Sequence, residues 1–494
     1  MSRPDLIIVG LGPAGLDRLA TRALGLLDES DRTVIVRTLQ HPAAAELAQR
    51  RPVVSCDDIY DAAGSFNEVY LAIADRVIAA LATGPVAYAV PGSAAVGERA
   101  VAEIRRRVGD GAAVFPGESF LDLLYLQTGI DPISSGVKVV DGRDLPDPLI
   151  FDTPLVITQV DRPEVLADVA AQLGRVLEDT TPVVFCDRLG DGDEVVATVP
   201  LAELSGRAVG PRTSLLVDSE PVGWHGLVIT NRILRRECPW DRKQTHHSLL
   251  SHLIEEAYET VETIRALPPE APRGEPDYVA YAEVEEELGD LLLQVVFHAT
   301  LAREVGAFDV EEVAEMIRRK LVNRHPHVFG DVVAEDAPTV ISNWEMIKGE
   351  EKSRHSLMDD IPVAMPAIIR ADKMQRRAKS VGFDWDEVAP VFAKVLEEVD
   401  ELAAVAADTA TGSIAADASS GAFAELGDLL FAVVNLARHL EVDPELALAG
   451  AGDRFADRFR LMEEQAAVAG RSLGDHTLEE LDALWERAKS TRSS

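Results

Sequence analysis

Hydrophobic residues follow two rhythms along this 494-residue chain. Up to about residue 220, short β-branched runs alternate with stretches whose apolar positions recur every three or four residues. LIIVG (6–10), TVIVR (33–37), VAYAV (86–90), LVITQV (155–160), VVFCD (183–187) and SLLVD (214–218) predict strands. The segments between them, such as PAGLDRLATRALGLL and VGERAVAEIRRRV, predict helices. This alternation predicts an α/β region with a largely parallel sheet. Beyond about residue 225 the strand signal is gone, and long amphipathic stretches rich in Ala, Glu, Leu and Arg predict an all-α region. Two segments break those helices: ALPPEAPRGEPD (266–277), with four prolines, and the low-complexity AADTATGSIAADASSG (406–421).

The all-α half repeats itself. LIEEAYETVETI (253–264) precedes AEVEEELGDLLLQVVFHATLA (282–302), and VLEEVDELAAVA (395–406) precedes AFAELGDLLFAVVNLARHL (422–440). Both copies set a Glu-Glu-x-x-Glu run before Glu-Leu-Gly-Asp-Leu-Leu. The expected organisation is therefore 1–222, 223–355 and 356–494, with the last two as related helical modules.

On a helical wheel, ELGDLLLQVVFHATL is apolar nearly all round, apart from a stripe of Glu287, Asp290, Gln294 and His298. Such a helix is expected to be buried. The second copy has the stripe Glu425, Asp428, Asn435 and His439. In the preceding helix, Ile254, Ala257, Tyr258, Val261 and Ile264 form one face. Glu256 and Glu259 sit on the other, as i,i+3 neighbours. A short connection makes consecutive helices antiparallel neighbours, so Glu256, Glu259, Glu287 and Asp290 converge. Like charges that close need protons or a bridging cation, and an all-oxygen set suits Mg²⁺ or Mn²⁺. An acidic run alone is a common solvated helix face in so acidic a chain. The two runs together, in the same order twice, single this one out.

Composition narrows the partners. Lys and Arg total 48 against 84 Asp and Glu, a net charge of −36. That balance argues against nucleic acid and against anionic membranes. The three cysteines, Cys56, Cys186 and Cys238, are far apart and form neither a disulfide framework nor a zinc motif. The N-terminus lacks a signal peptide, and no run approaches the ~20 apolar residues of a membrane span. A soluble, cytoplasmic protein is expected.

These motifs resemble the MazG family of nucleoside triphosphate pyrophosphohydrolases. The resemblance covers CPWDRKQTHHSL (238–249), both carboxylate runs, KLVNRHPHVFGD (320–331), NWEMIKGEEK (343–352) and IPVAMPAIIRADKMQRRAKSVGFDW (361–385). It implies an all-α bundle that dimerises and hydrolyses an NTP to NMP and pyrophosphate with Mg²⁺, clearing non-canonical or excess nucleotides. It implies metal ligands Glu256, Glu259, Glu287 and Asp290 in one copy, and Glu398, Glu401, Glu425 and Asp428 in the other. Glu259 or Glu401, or a metal-bound hydroxide, is the candidate base. Lys320, Arg324 and Lys348 are candidate phosphate ligands, and Trp240 and Trp385 are candidate base-stacking residues. His325 and His327 are read as structural, since nothing nearby completes a zinc site. RFADRFRLME (454–463) keeps Arg454 and Arg458 but lacks the His-Pro-His of the first copy, so the copies are unequal. By analogy with two-module members, the second copy is the expected catalyst.

The front region resembles the tetrapyrrole (corrin/porphyrin) methylases through LIIVGLGPAGLDRLATRAL (6–24), YAVPGSAAVGERAV (88–101) and FPGESFLDLLYLQTGIDP (115–132). That resemblance implies S-adenosylmethionine held near Gly10, Gly12, Pro91 and Gly92. Two departures stand against its use: Ala14 where the family often has Gly, and Pro-Gly-Ser-Ala-Ala where it often has a Pro-Gly-Asp-Pro-like turn. The expected fold is thus an N-terminal α/β methylase-like domain followed by all-α MazG-like modules. The rival functions are a methyltransferase with a helical oligomerisation module and a non-catalytic nucleotide sensor.

Overall fold

A computed structural model describes residues 4–62, 64–334, 336, 339–340, 343–344, 347–348, 356–408 and 421–491. The chain divides into two compact units, Met1–Met316 and Ile317–Ser494.

The first unit opens with a five-stranded parallel sheet in the order β3-β2-β4-β1-β5. Its strands are β1 (Leu6–Gly10), β2 (Thr33–Val36), β3 (Val54–Ser55), β4 (Val86–Val90) and β5 (Ala112–Phe115). Helices α1 (Thr21–Leu27), α2 (Pro42–Arg50), α3 (Asp57–Ala62), α4 (Phe66–Leu81) and α5 (Arg99–Val108) connect them. Strand alternation explains why β1 and β4 read as unbroken apolar runs. Leu6, Ile8, Val86 and Tyr88 pack in a core with α4 and α5. Ile7, Val9, Ala87 and Ala89 pack in another with α1 and α2. A sheet covered on both faces needs apolar residues at every position.

A second sheet has the order β6-β7-β10-β8-β9. Its strands are β6 (Lys138–Asp141), β7 (Leu155–Thr158), β8 (Pro182–Asp187), β9 (Val195–Pro200) and β10 (Ser214–Val217), with helices α6 (Phe120–Thr128), α7 (Pro132–Ser135) and α8 (Pro163–Leu173). Only β6 and β7 run parallel. The last three predicted strands therefore belong to a mixed sheet and not to an extension of the parallel one. The short connection between β8 and β9 has no crossover helix, which forces an antiparallel pair.

After β10 the described chain is helical. α9 (Gly223–Glu237), α10 (Leu250–Ala266), α11 (Tyr278–Glu304) and α12 (Val310–Arg324) follow. α13 (Pro326–Phe329), α14 (Ala367–Lys379), α15 (Val388–Asp408), α16 (Gly421–His439), α17 (Pro444–Val468) and α18 (Leu478–Thr491) complete the chain. Each predicted repeat is a packed helix pair, α10 with α11 and α15 with α16. The proline-rich 266–277 segment is the α10–α11 connection, and Asp277 caps α11 by accepting from the Val279 and Ala280 amides. Most of the low-complexity stretch between α15 and α16 lies outside the described residues.

Burial corrects one expectation. α11 is buried only in its C-terminal half, where Val296 and Ala299 meet Val228 of α9, and Phe297 and Leu301 meet Leu249. Its N-terminal half leaves Leu288 (47% exposed), Leu292 and Val295 open. The facing stripe of α10 is open too, with Ile254 at 58%. Among the described residues, no neighbour within the first unit covers that end of the pair, so an all-round apolar surface did not guarantee burial.

Candidate metal centres

α10 and α11 pack through small and polar groups. The buried Thr260 hydroxyl donates to the Glu256 carbonyl at 2.7 Å, one turn back, with the Glu287 carbonyl of α11 at 3.2 Å. This close crossing turns the acidic stripes inward and the apolar stripes outward. Glu256, Glu287 and Asp290 each offer an oxygen, and the three oxygens lie within 4.8 Å of one another. Glu256 and Glu287 are half-buried, and Asp290 is exposed. Among the described residues, no Lys, Arg or His pairs with any of the three.

The electrostatics follow from that crowding. Loss of solvent, then the Asp290 and Glu259 charges, pushes the Glu256 carboxyl above its ordinary range. Loss of solvent, then Glu259 and Asp290, does the same to Glu287. Glu259 thus lies close enough to act on both, one turn beyond Glu256, although it is outside the tightest set.

The second pair repeats the arrangement with a different membership. Glu398, Glu401 and Glu425 place oxygens within 4.8 Å of one another. Asp428 is exposed on α16 and lies outside this set. Glu398 is buried, and desolvation, then Glu398 and Glu425, raises the Glu401 carboxyl. This cluster carries its own cation: Lys394 Nζ lies 2.6 Å from Glu398 and 3.0 Å from Glu397. The i,i+4 spacing of Lys394 and Glu398 was readable in the sequence, but Lys394 was not singled out there.

The remaining candidates are spread out. Trp240 is 53% exposed, with its ring 6.0 Å from His252, one turn before Glu256 on α10. Lys320 is exposed on α12. The Arg324 guanidinium lies 5.4 Å and the Lys348 ammonium 4.2 Å from the centre of one indole, Trp344. Trp344, inside a quoted motif but not selected, is what gathers those two cations. Trp385 is 43% exposed beside Asp384, which binds Arg438 and His439 at the end of α16. Thirteen residues at 1.5 Å each place that end ~20 Å from Glu425 along the helix. Another aromatic site was missed: Arg458 lies 5.7 Å from the Trp485 ring, which also packs on Phe455. His325 Nδ1 bonds the Leu321 carbonyl at 2.6 Å, as a structural histidine does.

In the front domain, Gly10, Gly12, Pro91 and Gly92 gather at the carboxyl ends of β1 and β4. Gly12 and Gly92 exchange backbone hydrogen bonds at 3.0 and 2.8 Å.

The donor set fits a hard divalent cation: oxygen only, clustered and, at the first centre, without a counter-ion. Fold and site together define an α/β methylase-like domain joined to helical hairpins of the nucleotide pyrophosphohydrolase class. Comparison with known proteins agrees. Residues 244–329 match the model of the MazG nucleotide pyrophosphohydrolase domain, and residues 5–205 match that of the Tetrapyrrole (Corrin/Porphyrin) Methylases. An uncharacterized Bacillus subtilis protein, YabN, is 37% identical over 98% of both chains. A nucleoside triphosphate pyrophosphohydrolase of Escherichia coli is 41% identical over 51% of this chain and 90% of its own. The nucleoside triphosphate pyrophosphohydrolase/pyrophosphatase MazG of Thermotoga maritima is 42% identical over 51% and 89%. The chain belongs to the MazG family of nucleoside triphosphate pyrophosphohydrolases, with a tetrapyrrole methylase domain at its front.

Proposed function

We propose that this chain hydrolyses nucleoside triphosphates to nucleoside monophosphate and pyrophosphate, with Mg²⁺ (or Mn²⁺) held by its acidic helix pairs. The observation that carries this reading is the convergence of Glu256, Glu287 and Asp290 without a counter-cation. Glu398, Glu401 and Glu425 repeat the convergence with Lys394 beside Glu398, and Glu259 and Asp428 flank the two sets. Bound there, the metal supplies charge neutralisation for triphosphate oxygens. The chain's own residues do the rest. A carboxylate oxygen of Glu259 or Glu401 accepts a proton from the water that attacks the α-phosphorus. Lys320, Arg324 and Lys348 are the candidate phosphate ligands and Trp240 the candidate stacking residue, whereas Trp385, ~20 Å from Glu425 along α16, is too far to stack on a base bound there. We read 223–355 and 356–494 as two modules of this kind and the second as the catalyst. The proposed role is clearance of non-canonical or excess triphosphates in the cytoplasm. All three cysteines are free thiols, in keeping with a reducing compartment. Among the described residues, no helix is long and apolar enough to cross a membrane.

The outward apolar stripes of α10 and α11 support a homodimer. Ile254, Tyr258, Val261, Leu288 and Leu292 form a larger open surface than scattered exposed residues would. A second copy packed stripe to stripe completes a four-helix arrangement. Leu288→Glu with Ile254→Glu is expected to give monomers in sedimentation. An unchanged sedimentation coefficient would refute that interface.

The activity test is pyrophosphate release from several NTPs and dNTPs, with and without Mg²⁺. The variants are Glu256→Ala/Glu259→Ala and Glu398→Ala/Glu401→Ala. Loss in the second variant alone assigns turnover to the second module. Loss in the first alone overturns that assignment. A wild-type chain inactive on every nucleotide ends the enzymatic reading.

A further inference from the structure

The two acidic helix pairs differ at one position that carries a charge. Each pair sets three carboxylate oxygens within 4.8 Å of one another. Four residues before the first carboxylate of each set, one turn back on the same helix face, stand His252 in α10 and Lys394 in α15. His252 leaves its cluster alone. Its Nδ1 lies 3.6 Å from Glu255, outside the set, and its ring meets the Trp240 ring edge-on at 6.0 Å. Lys394 instead enters its cluster: Nζ lies 2.6 Å from Glu398 and 3.0 Å from Glu397.

Burial explains the difference. The Glu398 side chain is only 6% exposed, and a carboxylate that far out of water needs a counter-charge. The Lys394 side chain, 36% exposed, lays its stem along the helix and brings its ammonium to that carboxylate. Glu256 is half-buried and Asp290 is exposed, so water screens them and no cation is drawn in. The consequence lies in how each cluster receives a divalent ion. At the first, an entering ion relieves the whole repulsion of the carboxylates. At the second, Lys394 has already relieved part of it. An ion sharing Glu398 meets the ammonium at close quarters, where like charges repel. Lys394 either stays and weakens the ion's hold or swings away on its flexible stem, and both cost affinity. Its charge is permanent at neutral pH, because a lysine titrates near about 10.4.

We propose that Lys394 is a tethered counter-ion that sets the order in which the two centres fill: the first takes a free divalent cation tightly, and the second takes one more weakly because Lys394 must give up Glu398. Lys394 is thus a positioning residue, acting through Glu398 and not as a ligand. This inference rests on the reading of both clusters as divalent-metal centres.

The test is Mn²⁺ binding to the full chain without nucleotide, read from the loss of the free-ion electron paramagnetic resonance signal. Glu256→Ala/Glu259→Ala leaves the second centre intact, and Glu398→Ala/Glu401→Ala leaves the first. The chain that keeps the second centre is expected to bind Mn²⁺ about five-fold or more weakly than the chain that keeps the first, the effect of one unit charge ~4 Å away in water. Adding Lys394→Met to the chain that keeps the second centre should tighten its binding by about the same factor. Adding Lys394→Arg, which keeps the charge, should leave the binding weak. Tightening below about two-fold in Lys394→Met, or equal tightening in Lys394→Arg, overturns the proposal. The comparison between centres needs no change at Lys394, so it decides the matter even where Met disturbs α15: a second centre as tight as the first overturns the proposal and leaves the metal reading standing. A wild-type chain that binds no Mn²⁺ ends the metal reading, and this proposal with it. None of these readouts depends on nucleotide hydrolysis.

Discussion

Replacing Asp384 with Asn probes a largely buried two-bond ion pair in the second unit. The carboxylate takes two bonds from Arg438, at 2.8 and 2.5 Å, and one from His439 at 3.0 Å. Arg438 also donates to Asn435, and its side chain is only 4% exposed. The Arg438 bonds hold the Asp384 carboxyl at about 2, against an ordinary 3.8, with help from His439. At ~1.4 kcal/mol per unit this is at most ~2.5 kcal/mol, and solvent at the edge of the bridge screens part of it. Removing the charge also strands a buried guanidinium, and breaking a buried pair costs ~3–5 kcal/mol. Asn keeps one acceptor, so the expected net cost is ~2–3 kcal/mol.

The assay is hydrogen exchange of α14 and α16 amides by mass spectrometry, which reads this unit separately from the other. Protection should fall by about 30- to 150-fold in Asp384→Asn. In Asp384→Asn/Arg438→Met much of it should return, since an apolar replacement leaves no stranded charge. The sign of the pH dependence is fixed. A depressed carboxyl contributes stability above its unfolded value near 4, and that stability is lost as pH falls toward 2. A loss of protection below about three-fold, or a double variant no better than the single, would refute the reasoning.

The other expectations are shorter. Mg²⁺ at 100 times its Kd should stabilise the chain by ~2.7 kcal/mol at neutral pH, and scanning fluorimetry should show the gain shrink in Glu256→Ala/Glu259→Ala. Without metal, the raised Glu256 and Glu287 carboxyls make the α10–α11 pair less stable as pH rises through their folded values, so exchange in α10 should quicken with pH beyond its intrinsic rate. His298, whose Nδ1 lies 2.8 Å from His246 Nδ1, is held below its ordinary value by burial and then by His246. Stability from that pair is complete above ~6.5 and falls as pH drops, and His298→Gln should flatten the slope between pH 5 and 7 in urea unfolding. Gly10→Ala should cost at least the ~3 kcal/mol upper end of ordinary overpacking, because its Cβ meets backbone that cannot rotate away. Soluble yield and the urea midpoint measure it.

Legibility followed physical locality. β1, β2 and β4 were readable because a two-faced buried strand must be apolar at every position. β3 has only two residues, β9 alternates exposed and half-buried positions, and β6 is partly open, so their signals were weak. The acidic sets were readable because helix spacing alone puts Glu256 beside Glu259 and Glu287 beside Asp290. Glu46 and Arg212, which bond the loop after β1, were not, since they reach it from thirty and from nearly two hundred residues away. The α/β-to-helical change was readable as a change of period. The antiparallel turn of the second sheet depended on one short connection whose length was not weighed.

The same helix crossing creates both needs of the first candidate metal centre. Thr260 lets α10 and α11 approach along their polar stripes, and the apolar stripes are turned outward as a consequence. A hairpin that packed its leucines inward would bury more apolar surface, but it would leave its carboxylates in water, too far apart to share an ion. The observed orientation is therefore costly for a lone hairpin on both faces: repelling carboxylates inside and uncovered Ile254 and Leu288 outside. On the proposed reading, a divalent cation would relieve the inner face and a second copy would relieve the outer one. Because both act on the same two helices, each should strengthen the other: metal fixes the crossing that presents the apolar stripe, and the dimer holds the crossing that gathers the oxygens. Dimer dissociation measured with and without Mg²⁺ reads that coupling directly. A dissociation constant indifferent to the metal would separate the two faces and leave the inverted packing without this explanation.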